Sequence, residues 1–404
     1  MSSSAGVADA SSRQLWTAFA LLWLAGAGLR LTLLAVPPVI PLIHAELGLS
    51  ETEIGTLGTL PSLLLAAAAI PGSLLIARFG ATAALVVGLL LVGLGSAARG
   101  AAEGIGMLYA TTIIGAAGVA VMQPAMPPLV RAWLPDRVPL GTAVYTNGLL
   151  VGEVAAVALT IPLVLPLAGG SWRLSFVLWG VPVIATAALV LLLAPRGDKP
   201  VAMAPRRWWP NWRDKRLWQL AFCLGCVNTC YFAVNTFLPD YLHARGHGEL
   251  ISVTLTALNF CQVPASFLML GLAPRLVRKH GAYVAIGLLN LVAIIGMAVS
   301  SDWWIVFWAG VLGFSDATGL ILILALPPLL SAPEDVHRLA SAMFTISYPC
   351  AVLVSIIAGY AWDATQLPWI AFVPIGFCAL VLALLPLAID FHEAQGTRTA
   401  PSNA

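Results

Sequence analysis

The chain has 404 residues, of which 60% are hydrophobic and 9% charged, and its formal net charge is +2. Soluble domains carry roughly 25% charged residues, so this chain cannot clothe a water-facing surface, and its near-neutral balance gives no footing for nucleic acid. The apolar residues come in long runs of about 20, the length that crosses a hydrocarbon core as a helix, which excludes the short alternating segments of a transmembrane barrel.

In chain order, the N-terminal MSSSAGVADASSRQ lacks a basic start and a small-residue cleavage site, so the first apolar run reads as a retained span rather than a signal peptide. Gly, Pro and charge interrupt the apolar runs so as to predict twelve spans. They lie near 15–45, 54–77, 82–99, 104–130, 139–167, 173–194, 216–243, 250–274, 282–300, 303–330, 338–362 and 368–390. The expected organisation is a tail at 1–14, a six-helix half at 15–194, a basic linker at 195–215, a second half at 216–390 and a tail at 391–404. With the N-terminus inside, sixteen of the twenty Lys and Arg fall on the cytoplasmic side and three (Arg99, Arg173, Arg245) on the other. The positive-inside rule then places both termini and the linker in the cytoplasm, in an inner membrane. All six cysteines sit inside apolar runs, and the C-x-x-C of Cys223 and Cys226 has no second pair, so packing is expected rather than metal or redox chemistry.

The two halves resemble each other. AMPPLVRAWLPDRVPLGTAVYT (125–146) matches ALPPLLSAPEDVHRLASAMFT (325–345), and IPLIHA (40–45) matches LPDYLHA (238–244). Matches in consistent register about a central linker indicate parallel repeats, related by an axis along the membrane normal.

Three charges lie deep inside spans: Arg30, Glu153 and Asp316. Each costs roughly 2.5–3.5 kcal/mol at a helix centre, a cost relieved by facing an aqueous cavity and by pairing. Either carboxylate is a candidate partner for Arg30, and both are candidate proton-coupling groups. Burial and a neighbouring cation act oppositely on a carboxyl, so the residues leave proton coupling open. Polar residues also recur at helical spacing, as in Asn228, Tyr231 and Asn235, or Asn259, Gln262 and Ser266. Hydroxyls at such positions serve equally as glue between helices. The larger groups Asn228, Tyr231, Asn259 and Gln262, with Tyr145, Asn147 and Tyr348, are the candidate substrate contacts beside Arg30 and Asp316. His44 and His243 close the repeated end motifs, where interfacial packing is the simpler role. No nucleotide loop, metal-ligand cluster or nucleophile–base pair is visible, so neither an enzyme nor a cofactor is expected.

Over nearly its whole length the chain resembles the major facilitator superfamily. GSLLIARFGA (72–81) is similar to that family's gating-loop motif G-x-x-x-D-R-x-G through Gly72, Arg78 and Gly80, with Ala77 in place of the acid; Arg278 occupies the second-half equivalent. Within the superfamily it most resembles the cyanate/2-nitroimidazole porters, through Arg30, PPVIPLIHAELGLS (37–50), YTNGLLVG (145–152), Trp172–Arg173 and FLPDYL (237–242). Departures are Leu31 where that family has Pro, Asp316 where Gln is common, and no Gly-Pro in SYPCAVLVS (347–355). The resemblance implies a monomeric secondary transporter, all-α with twelve transmembrane helices in two parallel six-helix repeats. It would move a small anionic, zwitterionic or dipolar solute by alternating access. Export of a toxic compound on the same scaffold stays open.

Overall fold

The structure is a computed structural model that describes residues 2–49, 51–195 and 208–391. Six long helices occupy the first part of the chain: α1 (Ser2–Gly28), α2 (Glu51–Phe79), α3 (Ala81–Arg99), α4 (Ile105–Trp133), α5 (Val138–Leu159) and α6 (Trp172–Leu193). Six more follow: α7 (Lys215–Ala244), α8 (Ile251–Phe260, resuming as Gln262–Leu276), α9 (His280–Val299), α10 (Trp303–Ala325), α11 (Val336–Thr365) and α12 (Phe372–Leu384). Among the described residues, eleven helical segments are long and apolar enough to cross a membrane, and the shorter apolar stretch Leu64–Phe79 lies within α2. Their outward faces present Leu192, Val299, Ile356 and Phe377. A water-soluble protein rarely leaves so much apolar surface uncovered, whereas lipid solvates it. Exposed Trp303, Trp304 and Trp369 stand at helix ends, where indole rings favour the membrane interface.

The chain forms two compact units, Met1–Pro210 and Asn211–Ala404. In the first, α1 packs on α5, α2 on α4, and α3 on both α4 and α6; in the second, α7 packs on α11, α8 on α10, and α9 on both α10 and α12. Adding six to each label of the first set yields the second, so the duplication is one of helix pairing as well as of short motifs. The Pro-Pro-Leu triplets differ locally. Pro127 and Pro128 stay within α4, whereas Pro327 begins a separate turn, Pro327–Leu330, after α10 has ended.

Small residues set the closest approaches. A Cβ on Gly148 of α5 would fall 2.1 Å from the Trp23 carbonyl oxygen of α1, and one on Gly26 would fall 2.0 Å from the Tyr145 carbonyl oxygen. Main chain therefore packs on main chain where α1 crosses α5.

Three spans expected to be continuous are interrupted. The first breaks at Leu29–Arg30, resumes as the single turn Leu31–Leu34, and continues through Pro37–Val39 into Ile40–Leu47. Gly26 and Gly28 weaken the helix before the break, and Pro37 and Pro38 remove two main-chain donors after it. The eighth breaks at Cys261, because Pro264 has no N–H to offer the Phe260 carbonyl four residues back. The fifth loosens into a π-turn at Thr160–Val164, where Pro162 interrupts the ladder. The stretch 72–81, read from sequence as a turn, is helical as far as Phe79. The turn is Gly80 alone, at φ 90°, a conformation that side-chain-bearing residues rarely adopt.

Candidate functional site

In the first unit the polar groups gather on the α1–α5 crossing. The break after Gly28 turns Arg30 out of the helical ladder at φ −120°, and its carbonyl accepts from the N–H groups of Leu33 and Leu34 at 3.1 and 3.0 Å. Its guanidinium Nε stands 4.0 Å from Oε2 of Glu153 on α5, with the two side chains 16% and 11% exposed. That is an ion pair at long range, longer than a hydrogen bond, between side chains that neighbouring residues do not fully cover. About two turns toward the start of α1, Trp23 Nε1 donates to Oδ1 of the buried Asn147 at 2.8 Å. Tyr145 is buried beside it and offers its carbonyl to the close approach of Gly26.

The second unit carries a hydrogen-bonded amide network. Tyr231 donates its hydroxyl to Asn259 Oδ1 at 2.6 Å, and Asn259 Nδ2 donates to Asn235 Oδ1 at 3.0 Å and to the Leu255 carbonyl at 2.8 Å. On the α11 side, Asn228 donates to the Ser347 hydroxyl at 3.1 Å. Tyr348 is buried, with its ring stacked near Phe344 and tilted against Phe232 at 6.3 Å between centroids. Gln262 is buried just past the Cys261 break, and among the described residues no hydrogen bond joins it to this network. Asp316 is buried on α10 and accepts from Asn290 Nδ2 of α9 at 3.2 Å. Among the described residues Asp316 forms no ion pair, and no hydrogen bond links it to Asn259. Sequence reasoning grouped Asp316 with the stripes of α7 and α8; here its partner is an amide on another helix.

At the expected gating turns, Arg78 is exposed and lies over the Phe79 ring at 5.5 Å. Gly72 is buried inside α2, where a Cβ would meet Val121 Cα of α4 at 3.1 Å. Arg278 is exposed in the turn between α8 and α9. The side chain of His44 and the linker positions 196–207 lie outside the described residues.

Two buried polar residues lie outside the set that the sequence marks. Asn290 stands in the otherwise apolar GLLNLVAIIG, where no periodic stripe marks it. The Lys and Arg count puts Arg99 on the non-cytoplasmic side of the membrane. It ends α3 but is 1% exposed, donating to the Thr32 main-chain carbonyl at 3.0 Å and to the Thr112 hydroxyl at 3.2 Å. A neighbouring latch joins Glu46 to the Trp172 indole and to Arg173, which also donates to the Ala102 carbonyl at 2.8 Å.

Residues 19–282 match the family model described as Major Facilitator Superfamily. The cyanate transport protein CynX of Escherichia coli is 26% identical over 86% of this chain and 87% of its own. The 2-nitroimidazole transporter of the same organism is 24% identical over 89% of this chain and 91% of its own. An uncharacterized transporter of Bacillus subtilis, YycB, is 25% identical over 84% of both chains. In fold the chain is similar to the FucP transporter, with a TM-score of 0.72 at 17% identity over 92% of this chain and 98% of that one. It is also similar to the proton:xylose symporter XylE, with a TM-score of 0.73 at 12% identity over 94% and 96%. With its described helices paired as a duplication, apolar outer faces and a family match over most of its length, this multi-pass membrane protein belongs to the major facilitator superfamily and is a transporter, not an enzyme.

Proposed function

We propose that the chain moves a small anionic, zwitterionic or dipolar solute across the inner membrane by alternating access, with both termini cytoplasmic. The observation that carries this reading is the Arg30–Glu153 pair, 4.0 Å apart at a helix break inside a membrane span. An intramembrane guanidinium is costly and is kept where it does something. Its planar fork of donors suits a carboxylate-like or strongly dipolar group. A solute competing for Arg30 releases Glu153, which then takes up a proton from the accessible side. The cyanate and 2-nitroimidazole transporters among its relatives agree with that chemistry, cyanate being a small anion and 2-nitroimidazole a dipolar ring. Within the first unit, Asn147 is the proposed neutral contact beside Arg30. The cytoplasmic placement of the termini rests on the excess of Lys and Arg on that side.

The test is thermal stabilisation of the purified protein by cyanate, 2-nitroimidazole and glycine betaine. A bound solute at 100 times its dissociation constant stabilises by about 2.7 kcal/mol, so even a weak one registers. One of the three classes should raise the Tm saturably, and Arg30→Gln should move the half-maximal concentration at least about tenfold, equivalent to about 1.4 kcal/mol. Saturable stabilisation at an unchanged concentration in Arg30→Gln would remove Arg30 from the site.

A further inference from the structure

Arg99 is the largest fully buried side chain described, yet no carboxylate lies within ion-pair distance of it among the described residues. Burying an unpaired cation is expensive, and an aliphatic side chain would fill the same volume without that cost. What a guanidinium adds is directional donation. Its Nη1 donates to the carbonyl of Thr32 at 3.0 Å, its Nε to the Thr112 hydroxyl of α4 at 3.2 Å, and its face lies 5.9 Å from the Phe176 ring of α6. Nη2 is buried with no hydrogen-bond partner among the described residues.

The Thr32 carbonyl is an unusual thing to hold. It belongs to Leu31–Leu34, a single turn too short to satisfy its own ends. Arg30 is the residue that caps this turn, two positions before Thr32, and its carbonyl anchors the turn's first N–H groups. Beyond the turn, Val36, Val39 and Ile43 pack into one apolar cluster with Trp172 and with the same Phe176 that faces Arg99. One cation on α3 thus ties down the main chain on which Arg30 sits, and from that position Arg30 stands 4.0 Å from Glu153.

The structure assigns Arg99 as a positioning residue: it fixes the break in the first span so that the Arg30 guanidinium is presented to Glu153. Its consequence for transport rests on the reading of Arg30 given above; the positioning itself does not, and it is tested without any solute. The experiment compares the Tm of the purified full-length protein with that of Glu153→Gln, Arg99→Met and the double variant, and repeats the comparison in Arg99→Lys. Residues coupled through one network deviate from additivity. With Arg99 present, Glu153→Gln leaves Arg30 without its carboxylate and lowers the Tm. In Arg99→Met that loss should shrink to about half or less, and Arg99→Lys, which keeps a charged donor, should restore part of it. A role limited to general stability lowers every Tm alike, so an equal loss from Glu153→Gln in both backgrounds overturns the assignment. Should Arg99→Met not fold, the Arg99→Lys series decides alone, since a smaller loss than in the wild type is still required. Failure of the solute test with a coupled cycle would sink the substrate reading and spare the positioning role; the reverse outcome would do the opposite.

Discussion

Replacing Gly148 by alanine drives a methyl group into the main chain of α1. The added Cβ would stand 2.1 Å from the Trp23 carbonyl oxygen and 2.9 Å from its carbon, and both are backbone atoms with no rotamer to turn aside. Relief requires α1 and α5 to part by about 1 Å at that level, since non-bonded carbon and oxygen rarely settle closer than roughly 3 Å. Overpacking of this kind costs about 1–3 kcal/mol. The separation also stretches the 2.8 Å bond from Trp23 to Asn147, worth about 1 kcal/mol net. At about 2–4 °C per kcal/mol for a unit of this size, the Tm of the purified protein should fall by about 4–16 °C. Gly106→Ala is the control, because a Cβ there meets nothing within 4 Å. Its Tm should stay within about 2 °C of the wild type, as expected of an unobstructed surface change. Unfolding of Gly148→Ala at the wild-type temperature would refute the backbone-on-backbone crossing, and with it the geometry that brings Glu153 to Arg30.

Three further outcomes are expected. Asn259→Leu removes the acceptor of the Tyr231 hydroxyl and the donor to Asn235, so stability measured by thermal unfolding should drop by about 1–3 kcal/mol. Gly80→Ala forces a Cβ into the conformation at φ 90° and should cost about 1–2 kcal/mol; an unchanged Tm would show that the turn after α2 relaxes freely. In vesicles with an imposed pH gradient, Glu153→Gln should abolish the dependence of uptake on the gradient while leaving solute exchange at equal pH. An unchanged gradient dependence would remove Glu153 from proton coupling.

The scaffold was legible because a membrane span announces itself by length and by the charges that flank it. Helix ends such as Ala81, Arg99, Trp172 and Leu193 fall within a residue or two of the expected boundaries. The duplication was visible in two Pro-Pro-Leu triplets and is carried by matching helix pairs. The Arg30–Glu153 juxtaposition was one of two pairings that charge and depth allowed, and depth alone could not choose between Glu153 and Asp316. Asp316 depended on which amide faced it, and Asn290 is an isolated polar residue with no periodicity to betray it. Arg99 illustrates the general obstacle. A charge at the end of a span is ordinarily at the interface, but the turn after Arg30, Thr112 of α4 and Phe176 of α6 enclose this one. Local composition cannot report what a broken neighbouring helix will cover.

The most direct measurement is saturable uptake, into proteoliposomes, of whichever solute stabilises the purified protein, compared between the wild type and Arg30→Gln. Loss of saturable uptake in Arg30→Gln, in protein that is folded and reconstituted as efficiently as the wild type, is the result expected if the guanidinium meets the solute. Uptake with an unchanged half-saturation concentration and rate would contradict it, and would leave the Arg30–Glu153 pair as a tie between α1 and α5.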